Sequence, residues 1–134
     1  MKPRRFYVAS GLENIEEARR LVALLTAAGW HSAYDWTAHG PVWTHGAARV
    51  REVAAAELAG VASADVVIVR LPGGRGTHVE MGAALALEKP VIIYAEVEKF
   101  EVNAQCCAFY HHPGVLDRVN NDGHLVSLLS RVRP

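Results

Sequence analysis

The sequence has no excess of charge of either sign and no long apolar segment. Its 134 residues include 14 lysines and arginines and 14 aspartates and glutamates, and neither sign forms a long block. The electrostatic pattern of a protein that binds nucleic acid or a membrane surface is therefore missing, and we expect a small-molecule partner. No apolar run approaches the roughly 20 residues that span a bilayer, and no signal peptide is predicted. We therefore expect a cytoplasmic location.

The cysteines and histidines of this sequence predict neither a disulfide nor a metal site. The two cysteines, Cys106 and Cys107, are adjacent in the sequence, where a mutual disulfide would be strained, so we expect reduced core residues. The seven histidines are scattered, with no spacing of the His-Glu-x-x-His kind. We therefore expect no metal site and no cofactor.

The chain instead contains a regular alternation of β-rich runs and amphipathic segments. Its hydrophobic content of 51% is enough for one buried core, so we expect one domain spanning residues 1–134. The pattern predicts strands at 5–9, 30–36, 64–70 and 89–94, and helices at 13–28, 50–62 (beginning near Gly46) and 76–88. The tail allows a fifth edge strand at 106–110 and a closing helix at 122–132 with Asp122 as N-cap. This order predicts an α/β fold, a Rossmann-like or flavodoxin-like three-layer sandwich with a mainly parallel sheet of about five strands.

Polar and glycine residues gather at the carboxyl ends of three predicted strands, where parallel sheets bind ligands. Three glycines in the last of these segments let the backbone approach a ligand, and the helix N-terminus after them favours an anion. Two interpretations stay open, an anion subsite and a merely tight strand-to-helix turn. The candidate binding residues at this edge are Ser10, Gly11, Trp36, Gly73, Gly74, Arg75, Gly76, Thr77 and His78.

Glu80 lies one turn into a predicted helix that is otherwise apolar, so its carboxylate would face a cleft or the core. It is either a first-turn acid that complements the helix dipole or a nucleophile or general base. Tyr7 lies near the carboxyl end of the first strand, where its hydroxyl could reach and orient that carboxylate. A buried structural tyrosine is the alternative.

Three segments, in this order, resemble the nucleoside 2-deoxyribosyltransferase family and the related 2'-deoxynucleoside 5'-phosphate N-hydrolases. The similarity covers roughly residues 1–95, and its most specific part is the Gly-x-x-x-Glu-x-Gly-x-Ala stretch that begins at Gly76. The segments are Phe6-Tyr7-Val8-Ala9-Ser10-Gly11, Ala64-Asp65-Val66-Val67-Ile68-Val69 and residues 76–91.

The resemblance implies cleavage or transfer at an N-glycosidic bond with retention of configuration. Glu80 matches the family glutamate that attacks the anomeric carbon to form a glycosyl-enzyme, and Tyr7 matches the tyrosine that hydrogen-bonds it. The family protonates the departing base with an aspartate eight residues ahead of the position of Asp65, where this chain has Glu57. The glutamate keeps a carboxyl group and lengthens its reach.

The glycine-rich loop departs from the transferases, which often carry an aspartate that contacts the base or sugar. Arg75 stands in this loop and suits a phosphate or carboxylate, which favours a nucleotide over a nucleoside. Residues 72–80 also fit the Pro-Gly-Gly-x-Gly-Thr-x-x-Glu signature of the cytokinin-activating phosphoribohydrolases, an alternative that acts on the same bond. Members of these families assemble as dimers or larger oligomers, so we expect at least a homodimer.

Three further features have two interpretations each. Trp36 could stack on a nucleobase, with Trp43 as the alternate, or a tryptophan there packs in the core or a lid. His78, close to Glu80, contacts substrate or lies at the surface. The whole site is catalytic, or it belongs to a nucleotide-binding sensor module or an assembly component without turnover.

Overall fold

The computed structural model describes residues 3–132, so the outermost residues of the predicted domain 1–134 lie outside the described range. Within that range a parallel sheet of five strands is covered by four α-helices. The strands are β1 (Arg5–Ala9), β2 (His31–Ser32), β3 (Val66–Arg70), β4 (Val91–Tyr94) and β5 (Val115–Val119). The helices are α1 (Ile15–Ala27), α2 (Ala47–Ser63), α3 (Arg75–Ala86) and α4 (Asp122–Leu129).

The strands lie in the order β2-β1-β3-β4-β5, and every pairing is parallel. The predicted doubly wound α/β fold is therefore confirmed. β1 and β3 are central and carry buried apolar side chains on both faces, the pattern expected of an internal parallel strand. The strand order reverses between β1 and β3, so their carboxyl ends bound the crevice where such sheets bind ligands.

The helices cover both faces of the sheet. α2 and α3 pack against each other and against β1, and the right-handed crossovers place α1 on the opposite face. Arg20 of α1 donates hydrogen bonds of 2.7 Å and 3.0 Å to the Asp122 carboxylate of α4, and the Tyr94 hydroxyl of β4 donates one of 2.7 Å to the same group. These bonds join the helices of that face to the end of β4. No helix within residues 3–132 is long and apolar enough to cross a bilayer.

Two predicted strands differ from the structure. The second pairs only over His31–Ser32, because the Asp35 side chain accepts a hydrogen bond from the backbone of Thr37 and caps a short 3-10 helix, Trp36–Ala38. The fifth strand is not at 106–110, where a 3-10 helix, Ala108–His111, forms. β5 comes later and pairs with β4 as an edge strand.

The chain's tail corrects two further details. The N-cap of α4 is Asn121, whose side chain accepts a hydrogen bond of 2.8 Å from the backbone N–H of His124, while Asp122 is used by Arg20 and Tyr94. The two cysteines are free, as expected, but both are half-buried and lie outside the fully buried core.

One glycine sets how closely α2 approaches the sheet. A Cβ atom built on Gly60 would lie 2.7 Å from the Cβ of Tyr34 and 3.1 Å from the ring of Tyr7. Neither neighbour is the free end of a flexible side chain, so any side chain at this position forces α2 away from Tyr34 and from β1. Gly82 of α3 offers a matched contrast, because a Cβ there meets no atom within 4 Å.

We expect Gly60→Ala to lower the free energy of unfolding by about 1–3 kcal/mol through overpacking, although alanine favours a helix. Gly82→Ala should raise it by up to about 1 kcal/mol through helix propensity alone. Urea unfolding followed by circular dichroism measures both. Equal stabilisation by the two substitutions would show that α2 and β1 are not in tight contact at Gly60.

Candidate active site

The crevice between the carboxyl ends of β1 and β3 opens into a cleft of about 350 Å³, a volume within the range of roughly 300–1,000 Å³ that small-molecule sites occupy. The turn after β1, the segment after β2, the inner side of α2 and the first turns of α3 form its walls. The lining residues are 10–13, 36, 39–42, 53, 57, 74–77 and 80.

Glu80 points into this cleft from α3 and is only 6% exposed. Tyr7, fully buried on β1 behind the cleft wall, donates a hydrogen bond of 2.8 Å from its hydroxyl to Oε2 of Glu80. A central strand and a helix packed on it hold the two residues, so the geometry of the pair is fixed by the core. The structure thus brings together two residues that lie 73 positions apart in the sequence.

Burial is the main influence on the ionisation of this pair. It raises the pKa of Glu80 above its usual value, the neighbouring Glu57 carboxyl raises that pKa further, and the Tyr7 hydroxyl acts against both. Burial, followed by the charge of Glu80, also raises the pKa of Tyr7. Tyr7 therefore remains a hydrogen-bond donor, and Glu80 keeps its proton to a higher pH than an isolated glutamate does.

Glu57 faces Glu80 from α2. It is half-buried and lines the same cleft, and α2 packs directly against α3. Gly60, one turn further along α2, permits the close approach of this helix to Tyr7 and β1. No sequence pattern indicates that role, since a glycine inside a helical pattern predicts only a weak break in the helix.

The glycines of the loop before α3 serve two purposes. A Cβ on Gly73 would collide with the buried Thr77 side chain, so this glycine is required by packing and lies outside the cleft lining. Gly74 and Gly76 do line the cleft, and a Cβ on either would meet open space. No side chain of the described residues caps the start of α3, and Arg75 is exposed there. This end of the cleft therefore has the features of an anion subsite.

The turn after β1 is fixed by its own hydrogen bonds. Ser10 lines the cleft, and its hydroxyl donates to the carbonyl of Arg70 at 2.7 Å and accepts from the side chain of Asn14 at 3.1 Å. The backbone N–H of Gly11 donates to the carbonyl of Pro72 at 3.3 Å. The two cleft-forming loops are thereby tied together.

Trp36 and His78 are both held by partners within the fold. The indole N–H of Trp36 donates to the carbonyl of Val8 at 2.7 Å, and the buried ring forms part of the cleft wall. Nδ1 of His78 donates to the carbonyl of Gly74 at 2.7 Å, which leaves Nε2 to accept from the Tyr110 hydroxyl at 2.8 Å. His78 lies outside the lining and supports the start of α3.

His39 is a lining residue that the scattered histidine pattern did not reveal. Its Nδ1 donates to the carbonyl of Gly40 at 2.7 Å, and its Nε2 accepts from the Tyr34 hydroxyl at 2.7 Å. Both ring nitrogens therefore form hydrogen bonds within the fold, and His39 holds the start of the segment that follows in place.

Across residues 3–132 no group of three or more metal-ligating side chains comes together.

The chain is similar to known proteins in both sequence and fold. Residues 6–117 match the family model described as nucleoside 2-deoxyribosyltransferase. A search of curated protein sequences finds no match. The structure is similar to that of the Clostridium botulinum CMP N-glycosidase BcmB, with a TM-score of 0.63 and 18% identity over 95% of this chain and 99% of that one; at this identity the similarity shows the fold alone. Because the family match extends over most of the sequence, this chain belongs to the nucleoside 2-deoxyribosyltransferase family.

Proposed function

We propose that this protein cleaves the N-glycosidic bond of a nucleoside 5'-monophosphate, or of the corresponding (deoxy)nucleoside, with Glu80 as a retaining nucleophile. The observation that carries the proposal is a buried carboxylate held by Tyr7 at 2.8 Å in a cleft that it shares with a second carboxyl group. Family membership supports cleavage or transfer at this bond in general. The pair of carboxyls on α2 and α3 supports the specific mechanism.

In the first step, the oxygen of Glu80 that Tyr7 does not engage attacks the anomeric carbon. The electrons of the breaking C–N bond pass to the base, and Glu57 protonates the base as it leaves. The transition state resembles an oxocarbenium ion, which the adjacent negative charge of Glu80 stabilises. The products of this step are the free base and a sugar ester of Glu80.

In the second step, Glu57 acts as the base. It accepts a proton from the attacking group, which forms a bond to the anomeric carbon as the ester bond to Glu80 breaks. If the attacking group is water, the reaction is a hydrolysis, and if it is a second nucleobase, the reaction is a transfer. Two inversions at the same carbon give net retention.

The start of α3 supports a 5'-phosphate on the substrate. Gly74 and Gly76 leave open space for an anion beside an uncapped helix end, and Arg75 adds a positive charge. The similar Clostridium botulinum protein is described as acting on CMP. A cytokinin-activating-type phosphoribohydrolase would use the same anion subsite. The two functions would differ only in the nucleobase that is released.

A non-catalytic nucleotide sensor is the competing class of function. The replacement of the family aspartate by Glu57 favours a sensor, because a longer side chain alters the position of the acid. The Tyr7–Glu80 hydrogen bond favours an enzyme, because a binding module has no use for a buried carboxylate with a raised pKa.

We further propose that the protein is a homodimer that acts in the cytoplasm, where nucleotides are made and consumed. Three large, exposed apolar side chains support the dimer: Leu58 of α2, Val79 of α3 and Leu87, which follows α3 directly. Sedimentation equilibrium should give twice the monomer mass, and Val79→Glu should shift the mass toward that of one chain. A wild-type monomer at micromolar concentration would contradict this proposal.

The proposed reaction is tested with a panel of ribo- and deoxyribonucleosides and their 5'-monophosphates. We expect the wild type to release free base from at least one 5'-monophosphate, and Glu80→Gln to lose at least about a thousandfold in kcat, since the nucleophile is removed. Base is followed by chromatography. Glu52→Gln, an exposed substitution on α2 away from the cleft, is the control and should match the wild type. Release that survives Glu80→Gln would rule out the nucleophile assignment.

Substitution of Glu57 tests the acid. We expect Glu57→Gln to slow base release by about 10²–10⁴-fold, and to spare the first-turnover burst from a sugar phosphate whose leaving group is 4-nitrophenolate, which departs without protonation. Later turnovers should stay slow, because Glu57 is also the base of the second step. An equal loss on both substrates would contradict the role.

The pH dependence of kcat separates the two carboxyls. In the wild type we expect a bell-shaped profile, because activity needs one proton on the pair and falls when a second is added or the last is lost. Glu57→Gln should abolish the alkaline limb. The one limb that remains, loss of the Glu80 proton, should lie at lower pH than the wild-type alkaline limb, because Glu57 raises the pKa of Glu80. An unchanged bell in this variant would show that Glu57 supplies neither limb and would contradict its role as the acid.

A further inference from the structure

Trp43 is exposed to a degree that is unusual for a tryptophan. Its side chain is 75% exposed, whereas Trp30 and Trp36 are 3% and 5% exposed. An indole is among the largest apolar groups a chain can bury, and an exposed one beside a concave site commonly marks a contact surface. The core of this protein does not use Trp43, and the proposed mechanism does not use it either.

Trp43 stands at the rim of the cleft. The two residues before it, Pro41 and Val42, line the cleft wall, and consecutive Cα atoms are only about 3.8 Å apart. The aromatic rings already in the described lining, those of Trp36 and His39, are held by hydrogen bonds to Val8, Gly40 and Tyr34. Trp43 is therefore the aromatic side chain at this rim that is free to turn toward a ligand.

The segment that carries Trp43 is bounded by two glycines. Gly40 and Gly46 have φ values of 64° and 93°, in the left-handed region that favours glycine. Between them lie 41–45, whose side chains are exposed or half-buried. His39 and the hydrogen bond from Gly40 to the carbonyl of Trp36 anchor one end, and α2 begins at the other. Short segments between such points move as units over active sites.

The cleft gives each part of a nucleotide its own place. The carboxyls of Glu80 and Glu57 must meet the anomeric carbon, and the open start of α3 suits the phosphate. The base then extends toward the remaining wall, which Pro41, Val42 and Val53 make apolar. A flat aromatic ring placed over this wall would complete a stacking site.

We propose that Trp43 contacts the nucleobase, and that the segment 41–45 turns about Gly40 and Gly46 to place its indole on the base. The proposal rests on the proposed function only in taking a nucleotide as the ligand. Stacking accepts the π-face of any base, so Trp43 contributes affinity for a base, while other lining groups distinguish one base from another.

The test uses the Glu80→Gln protein, which should bind nucleotides without turning them over, and acrylamide quenching of tryptophan fluorescence. Trp43 dominates the quenching because the other two indoles are buried. We expect a saturating nucleoside 5'-monophosphate to lower the quenching constant at least about twofold. Ribose 5-phosphate, which has no base, should leave it unchanged, and Trp43→Phe in the same background should abolish the nucleotide effect.

Kinetics on the otherwise wild-type enzyme gives a second readout. Loss of one base stack predicts that Trp43→Ala raises KM by about 5–100-fold, with kcat changed only a few-fold. Trp43→Phe should recover most of the loss because it keeps a ring. Identical melting curves for the three proteins are expected, since the side chain contributes little to the core.

The outcomes separate this inference from the proposed function. Base release by the wild type with an unchanged KM in Trp43→Ala and no protection from acrylamide would overturn the role of Trp43 and leave the enzyme reaction standing. Protection of Trp43 by nucleotides without base release from any substrate would support the contact and overturn the reaction. Equal protection by ribose 5-phosphate would also overturn the base contact, because closure would then follow the sugar phosphate alone.

Discussion

The hydrogen bond from Tyr7 to Glu80 is the interaction on which the site depends. A carboxylate that is almost fully removed from water carries a large desolvation penalty unless a donor meets it. Tyr7 supplies that donor at 2.8 Å from a central strand, and the parallel pairing of β1 with β3 fixes its position. Glu80 can therefore be buried and held pointing into the cleft, while its second carboxyl oxygen remains free of Tyr7. The loops that surround the cleft can vary without disturbing this pair, because neither residue stands on a loop.

The different burial of the two carboxyls suits each of them to a separate task in the proposed reaction. Glu80 is buried beneath the cleft and Glu57 is only half-buried at its side, and pairs of acids in unequal environments are how one site supplies both a nucleophile and a proton donor. The substitution of glutamate for the family aspartate adds one methylene to the acid. In this chain α2 also carries Gly60, which permits the helix to approach β1 and Tyr7 closely. In the proposed reaction, the length of the Glu57 side chain and the position of α2 together determine where the acid meets the substrate.

Much of this arrangement could be predicted from the sequence. β1, β3 and β4 are runs of β-branched and aromatic residues, and glycines and charged residues bound them, so their parallel order followed from the alternation with helices. Glu80 was conspicuous because it interrupts an apolar helix, and Tyr7 because it lies near the end of the first strand. These signals are local, and the fold preserves them.

The features that the sequence did not predict depend on tertiary contacts. The run around Cys106 and Cys107 is more apolar than β5, which contains Asp117 and Arg118, yet β5 is the strand that pairs with β4. The role of Gly60 depends on a neighbour 53 positions away, and the partner of His78 lies in the tail at Tyr110. Local propensity carries no information on such pairings.

The central claim is that Glu80 becomes covalently attached to the sugar. The most direct measurement is mass spectrometry of the protein after incubation with a 2-deoxy-2-fluoro nucleoside 5'-monophosphate, since the fluorine destabilises the oxocarbenium-like transition states and allows the ester to accumulate. The account predicts a mass increase equal to one fluorinated sugar phosphate, located by peptide mapping to Glu80 and absent from Glu80→Gln. Release of base from the analogue with no adduct, or an adduct on another residue, would contradict it.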